Sequence, residues 1–281
     1  MSTSTVDFNQ RVTLGRTGLR ASRLGIGASY GVGANDIERA YNEKGINLFY
    51  WGSVRRESFG EGIRRLARRN REDLVIVIQS YSRIAGLISW SLERALRSLR
   101  LDHADVLLLG MFNHPPSARI LEAAQRLRDS GKVRLLAVSC HRRPTFRQYI
   151  QAGVFDILMF RYNAAHRGAE VEVLPHLAIP IRPGTIAYTA TRWGDLLNPA
   201  KIRPGEKKPS ASDCYRFALS RYEVDVCMTG PANSEQLSEA LLALEKGPMD
   251  SEELDWMRRV GDYIHRRRPG IRARVFGFGE A

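Results

Sequence analysis

The side chains of this sequence with chemical potential fall where buried runs give out. Ile46 to Trp51 is a short, almost wholly apolar run that ends in Tyr50 and Trp51. Leu74 to Gln79 ends in a glutamine, Val133 to Ser139 runs into Cys140 and His141, and Asp156 to Tyr162 carries Arg161 near its end. Tyr50 offers a phenolic proton. Gln79 donates a hydrogen bond but releases no proton near neutral pH, and Arg55 is a permanent cation suited to an oxyanion or an anionic ligand. Arg55 and Arg56 have an alternative, surface pairing with Glu57 and Glu61. His114 stands as an acid or as a solvent-facing loop histidine. Cys140 with His141 has the composition of a nucleophile and its base, but adjacent strand residues point to opposite faces, which argues against the pair. Tyr50 and Trp51 either line a pocket or fill space. With Tyr81, Phe112 and Tyr162 they are the candidate walls of a small-molecule site. Arg161 meets either an anion or a structural carboxylate such as Glu170.

A repeating alternation must position these residues. Arg11 to Ser22 predicts a β-hairpin. Buried strands follow at Arg23–Ala28, Ile46–Trp51, Leu74–Gln79, Ala104–Gly110, Val133–Ser139, Asp156–Tyr162, Thr185–Ala190 and Val224–Thr229. Apolar runs of this kind suit strands covered on both faces, as in a parallel sheet. Helical stretches separate them, among them Asn35–Glu43, Glu61–Asn70, Ser89–Arg100, Ala118–Ser130 and Pro144–Ala152. Others lie near Glu170–Leu177, after a cap at Ser210 or Ser212, from Ser234, and over Ser251–His265. Eight strands alternating with helices predict one α/β domain over 1–281, a (β/α)8 TIM barrel with an N-terminal hairpin and a C-terminal helix. Residues 1–10 and 270–281 are expected to be flexible tails. In such a barrel, chemistry is placed at the carboxyl ends of the strands, where the residues above fall.

Composition narrows the partners. The net charge is +13, and 37 of the 43 basic residues are arginine. That excess suits a polyanion. The arginines are spread over many helices, however, without interleaved aromatics or a nucleic-acid motif, so a solvated basic surface is the reading taken and nucleic acid is not expected. No apolar run reaches the roughly 20 residues of a membrane helix, so no membrane is expected. The three cysteines, Cys140, Cys214 and Cys227, are unpaired by number and spacing. They predict a reducing, cytoplasmic setting with no metal site. The sequence does not give an oligomeric state.

The order of several short motifs resembles the aldo-keto reductase family. Leu14-Gly15-Arg16-Thr17-Gly18-Leu19 with Ser22-Arg23-Leu24-Gly25-Ile26-Gly27 is similar to its opening, and Gly45-Ile46-Asn47-Leu48-Phe49 to its next strand. Leu96, Leu99, Leu101, Asp102 and Asp105 follow, then Gly131-Lys132-Val133-Arg134, Val138-Ser139, and Tyr162-Asn163 with Arg167 and Glu170. Last come Gly230 and Ser234-Glu235-Gln236-Leu237 with Glu239. The resemblance implies hydride transfer from NADPH to a carbonyl, with a proton from a Tyr tuned by a Lys–Asp pair and a His. All four positions differ here: Tyr50 stands for the Asp, Arg55 for the Tyr, Gln79 for the Lys and Gly110 for the His. No Lys occurs between Lys44 and Lys132, no Tyr between Tyr50 and Tyr81, and no Asp between Asp36 and Asp73. Tyr50, Arg55, Gln79 and His114 are therefore the candidate catalytic residues.

On the cofactor side, the resemblance implies Ser139 and Tyr188 at the nicotinamide, and Gly230, Asn233, Gln236 and Glu239 at the phosphate and adenosine. Cys140 replaces an amide-bearing Asn, Met159 a Gln and Ala240 an Asn. NADP(H) binding is expected to be weak or lost. The expected function is that of an aldo-keto-reductase-like barrel, nominally an NADP(H)-dependent oxidoreductase, that is catalytically impaired or serves as a ligand- or nucleotide-binding pseudo-reductase. The alternatives are an active oxidoreductase with rebuilt proton delivery and a barrel enzyme of non-redox chemistry.

Overall fold

The structure is a computed structural model that describes residues 6–52 and 54–267. A two-stranded antiparallel hairpin, β1 (Val12–Thr13) and β2 (Arg20–Ala21), precedes a closed barrel. The barrel strands are β3 (Leu24–Gly27), β4 (Leu48–Trp51), β5 (Val75–Ser80), β6 (Ala104–Leu109), β7 (Val133–Cys140), β8 (Ile157–Arg161), β9 (Gly184–Tyr188) and β10 (Val226–Thr229). All neighbours are parallel, and β10 closes onto β3. This is the (β/α)8 barrel with its N-terminal hairpin that the alternation predicts. The helices are α1 (Ala34–Lys44), α2 (Glu57–Asn70), α3 (Ala85–Leu99), α4 (Ala118–Asp129), α5 (Thr145–Ala152), α6 (Ala169–Glu172), α7 (Ala211–Leu219), α8 (Ser234–Lys246) and α9 (Ser251–Arg266). Three differ from expectation. The α2 and α3 helices begin a turn early, at Glu57 and Ala85, and the segment near 170–177 divides into α6 and a 3-10 turn, Leu174–Leu177, because Pro175 cannot continue an α-helical ladder.

Strand alternation sorts the core into two shells. Leu48, Val75, Val77, Val106, Leu108, Ala137, Ile157, Met159, Ile186 and Val226 fill the barrel, and Leu14, Leu19 and Ala21 of the hairpin segment join them from below. Phe49, Trp51, Ile76, Ile78, Leu107, Leu109, Val138, Cys140, Phe160 and Cys227 face the helices. The hairpin seats closely. Gly15 has φ 51°, and a Cβ there would collide with the backbone of Pro183 and Gly184, so glycine is required on both counts. Phe8 lies in the stretch read as a loose tail, but it is 1% exposed and has the Arg23 guanidinium over its ring. An aromatic of that size anchors the segment from 6 to 10. The tail expected over 270–281 lies outside the described residues.

The bottom of the barrel is fixed by a repeated device. The Asn47 carboxamide oxygen accepts from Ser22 N–H at 2.8 Å, and Asp105 accepts from Ile76 N–H at 2.8 Å. Asp156 accepts from Leu136 N–H at 2.9 Å, and Asp225 from Thr185 N–H at 2.9 Å. Each acceptor lies at the start of one strand and holds an amide in, or just ahead of, the strand before it. Arginines cover the charged members: Arg71 and Arg134 bond Asp105 at 3.0 and 3.1 Å, and Arg182 bonds Asp225 through both prongs. Buried charges so paired fix register at the end away from the chemistry.

Candidate functional site

At the upper end, inward-facing positions of successive strands converge. Tyr50 follows Leu48 on the inner face of β4 and is half-buried, its ring folded back over Gly52, where a Cβ would collide with it. Gln79 follows Val75 and Val77 on β5 and is 5% exposed. Its amide nitrogen occupies the space a side chain at residue 110 would need, and the Tyr81 ring fills the rest, 2.7 Å from an added Cβ. Gly110 is thus a glycine for steric reasons, and the pair Gln79–Tyr81 stands where a β6 side chain would project. Among the described residues, the Gln79 carboxamide oxygen has no hydrogen-bond partner. Ser139 on β7 accepts from Met111 N–H at 2.9 Å. Met111 itself has φ 58°, and Thr189, just past β9, has φ 57°. Two strained residues therefore border the mouth.

His141 and Tyr188 complete the rim, with ring centroids 6.4 Å apart. Burial, and then the nearby Arg161 cation, push the His141 pKa below its ordinary value, which favours the neutral imidazole. Burial raises the Tyr188 phenol well above its ordinary value, partly offset by Arg161. The sequence argument weighed His141 only as a partner of Cys140. Strand alternation, which separates that pair, is the signal that places His141 on the inner rim. Cys140 faces the helices, donates to Arg142 C=O at 3.0 Å, and has its thiol pushed up to about 11 by burial, which leaves it inert as a nucleophile.

Several expectations are corrected by packing. Arg55 and Arg56 do not pair with Glu57 or Glu61. Arg64 takes both carboxylates and Arg65 shares Glu61. Arg55 instead donates to Gln79 C=O at 3.0 Å, and Arg56 to Ser29 C=O at 3.3 Å. Tyr162 does not reach the mouth. It is 1% exposed, stacks on Phe217 at 5.7 Å, and donates to Glu170 at 2.6 Å, because it falls on the outward register of its strand. The carboxylate foreseen for Arg161 is thus taken by its neighbour. Trp51 also faces outward, stacked on Phe59 at 6.3 Å. His114 and Phe112 border a separate cavity of about 400 Å³ beyond β6. There His114 is exposed beside Arg142, and Arg83 covers the Phe112 ring at 3.7 Å. Of the four candidate catalytic residues, Tyr50, Arg55 and Gln79 come together and His114 does not join them.

A larger cavity, about 430 Å³, opens beside the mouth between the ends of β4 and β5 and the flank of α3. Trp51, Arg55, Gln79, Tyr81, Trp90 and Arg94 border it. Trp90 and Arg94 escaped sequence reading. The signal was their four-residue spacing on α3, off its apolar face, which stacks the guanidinium 5.3 Å from the indole.

The expected phosphate end lies at the start of α8. Asn233 caps the helix by accepting from Gln236 N–H at 2.9 Å, and Gln236 accepts from Ala232 N–H at 2.9 Å. Glu239 accepts from Ala211 N–H at 2.9 Å, at the start of α7. The Tyr30 ring packs where a Gly230 side chain would be, and Ser234 donates to Asp36 at 2.5 Å.

No known protein-family profile matches the sequence. The architecture is that of the aldo-keto reductases. The chain superposes on an aldo-keto reductase of Bacillus halodurans in its holo form with TM-score 0.74, 18% identity, and coverage of 89% of this chain and 96% of that one. An aldo/keto reductase of Klebsiella pneumoniae in complex with NADP and acetate gives TM-score 0.72 at 19% identity, covering 90% and 96%. In sequence, the chain is similar to L-galactose dehydrogenase of Arabidopsis thaliana, 23% identical over 88% of this chain and 92% of the relative. The resemblance first carried by short motifs thus extends over nearly the whole length.

Proposed function

We propose that this chain is an aldo-keto-reductase-like barrel whose proton relay has been dismantled, so that it takes a small ligand at its mouth and reduces ordinary carbonyls slowly. One observation carries the reading: the Gln79 amide and the Tyr81 ring occupy the space above Gly110 where a proton-handling side chain would stand. Gln79 and Arg55 can steady a developing oxyanion but neither yields a proton near neutral pH. General acid assistance is typically worth about 10²–10⁴-fold, and that is the expected deficit.

The residues present fit an NADP(H) dinucleotide poorly. Met159 offers the barrel interior only a thioether, and Cys140 is turned outward. At α8, Asn233, Gln236 and Glu239 spend an acceptor oxygen each on backbone amides, and the Asp36 carboxylate stands beside the helix start, where it opposes a phosphate. Weak binding is therefore expected, and calorimetric titration with NADPH and NADP⁺ measures it; sub-micromolar affinity overturns this part of the reading.

A second reading has its own observation. The Tyr50 phenol acts electrostatically on the Arg55 guanidinium, whose pKa burial lowers and Tyr50 raises in part. A phenol beside a cation is a proton donor of rebuilt design. The decisive assay is NADPH oxidation with nitrobenzaldehydes and quinones. Slow or absent turnover supports the first reading. Turnover near the ordinary enzyme median of about 10 s⁻¹, lost in Tyr50→Phe, establishes the second.

A further inference from the structure

The cavity beside the mouth has an electrostatic character that its neighbours lack. Two guanidiniums, Arg55 and Arg94, face it, and among the described residues neither has a carboxylate within ion-pair distance. The contrast is local. Arg64, on the adjoining helix α2, holds two carboxylates, and Arg97, one turn along α3, holds Glu93. Among the described residues, Arg55 donates to Gln79 C=O at 3.0 Å, and its Nε–H is buried without a partner. Trp51 Nε1–H is likewise buried and without a partner, as is the Gln79 carboxamide oxygen. Two of the residues bordering this cavity, Arg55 and Trp51, therefore each carry an unsatisfied buried donor among the described residues. An unmade buried hydrogen bond is costly, and like charges in a recess repel. Burial and the Arg94 charge both act to lower the Arg55 pKa, while Tyr50 works against them.

The walls add shape. Trp90 is 52% exposed and Tyr81 45%, both flat, and Arg94 already lies over the Trp90 ring. Serine hydroxyls at Ser91 and Ser98 complete the floor.

We propose that this cavity binds a small organic oxyanion, a carboxylate or phosphate monoester on a flat ring, with the head between Arg55 and Arg94 and the ring against Trp90. The head satisfies the guanidinium and indole donors, the charge pair is neutralised, and the ring completes an aromatic–cation stack. The site lies outside the barrel axis, goes beyond the reading above, and does not rest on whether a dinucleotide binds.

The test is calorimetric titration of the cofactor-free protein at low salt with benzoate, phenyl phosphate and, as the neutral control, benzyl alcohol. The two anions distinguish a carboxylate from a phosphate preference. Binding of either anion, its weakening as salt rises, and silence from the alcohol are expected. Arg94→Gln should weaken the anion by about tenfold or more. Arg94 is exposed, so this variant should keep the parent melting temperature and fold normally. Trp90→Ala should weaken both ring-bearing anions while leaving inorganic phosphate unaffected. Equal affinity for the alcohol, unchanged affinity in Arg94→Gln, or no binding of either anion overturns the proposal.

Discussion

The bottom of the barrel and the part of the upper rim around Arg55, Arg83 and Arg94 use one residue type in opposite ways, while elsewhere on that rim Arg143, Arg167 and Arg192 pair with Glu172, Asp262 and Asp195. At the bottom, arginine is a fastener: Arg71 and Arg134 hold Asp105, and Arg182 holds Asp225, with each carboxylate also bonded to a strand amide. At the top, Arg55 and Arg83 donate to backbone carbonyls and Arg94 lies on an indole, none of them paired with a carboxylate among the described residues. At the bottom the carboxylates are neutralised, although the Nε–H groups of Arg71 and Arg23 are buried without partners among the described residues. The upper rim carries buried polar atoms without partners and strained backbone at Met111 and Thr189. Paired charges that fix register gather at one end and polar groups without partners border the candidate site at the other.

Substitutions can break that contrast. The largest effect belongs to the bottom. Asp225→Ala leaves the half-buried Arg182 and the Thr185 amide unanswered, and should cost about 3–5 kcal/mol in urea unfolding. Asp225→Asn should cost less, since it keeps an acceptor for the amide. The next effect belongs to the mouth. Gly110→Ala forces its methyl against the Gln79 amide and the Tyr81 ring and should cost about 1–3 kcal/mol. Adding Gln79→Ala should return part of that loss. Strict additivity in the double mutant would show that Gln79 is not what makes residue 110 a glycine.

The smallest effect is acid dependence at the bottom. The Arg11 hydrogen bond, helped by Tyr41, holds the Asp73 carboxyl below its usual range against the opposing pull of burial. A depressed folded pKa stabilises fully above the unfolded value of about 4 and is lost as pH falls through the folded one. Stability of the parent minus that of Arg11→Gln, followed against pH, should therefore be greatest near and above about pH 5 and shrink in acid. A difference flat with pH would detach Asp73 from this role.

The barrel was legible in the sequence because strand and helix announce themselves locally: every run from Arg23–Ala28 to Val224–Thr229 overlaps an observed strand. The inner face was legible in principle from alternation, which places Tyr50, Gln79 and Tyr188 inward and Tyr162 outward. Tyr162 was misjudged because a phenol near a strand end looks like a wall of the mouth, and only the register shows it turned toward Phe217 and Glu170. Arg64 displaced Arg55 from Glu57 for a similar reason: helical geometry, with residues on successive turns sharing a face, outcompetes adjacency in the chain. The cavity was invisible because it joins residues from three elements, and no spacing within one element encodes it.

The hairpin has a consequence for traffic. With Leu14, Leu19 and Ala21 set into its lower end, and Gly15 pressed against the start of β9, the barrel is stoppered. Among the described residues, its upper end is the face left open. Two molecules stacked along the barrel axis would therefore enter and leave by the same face, the deeper of them arriving first and leaving last.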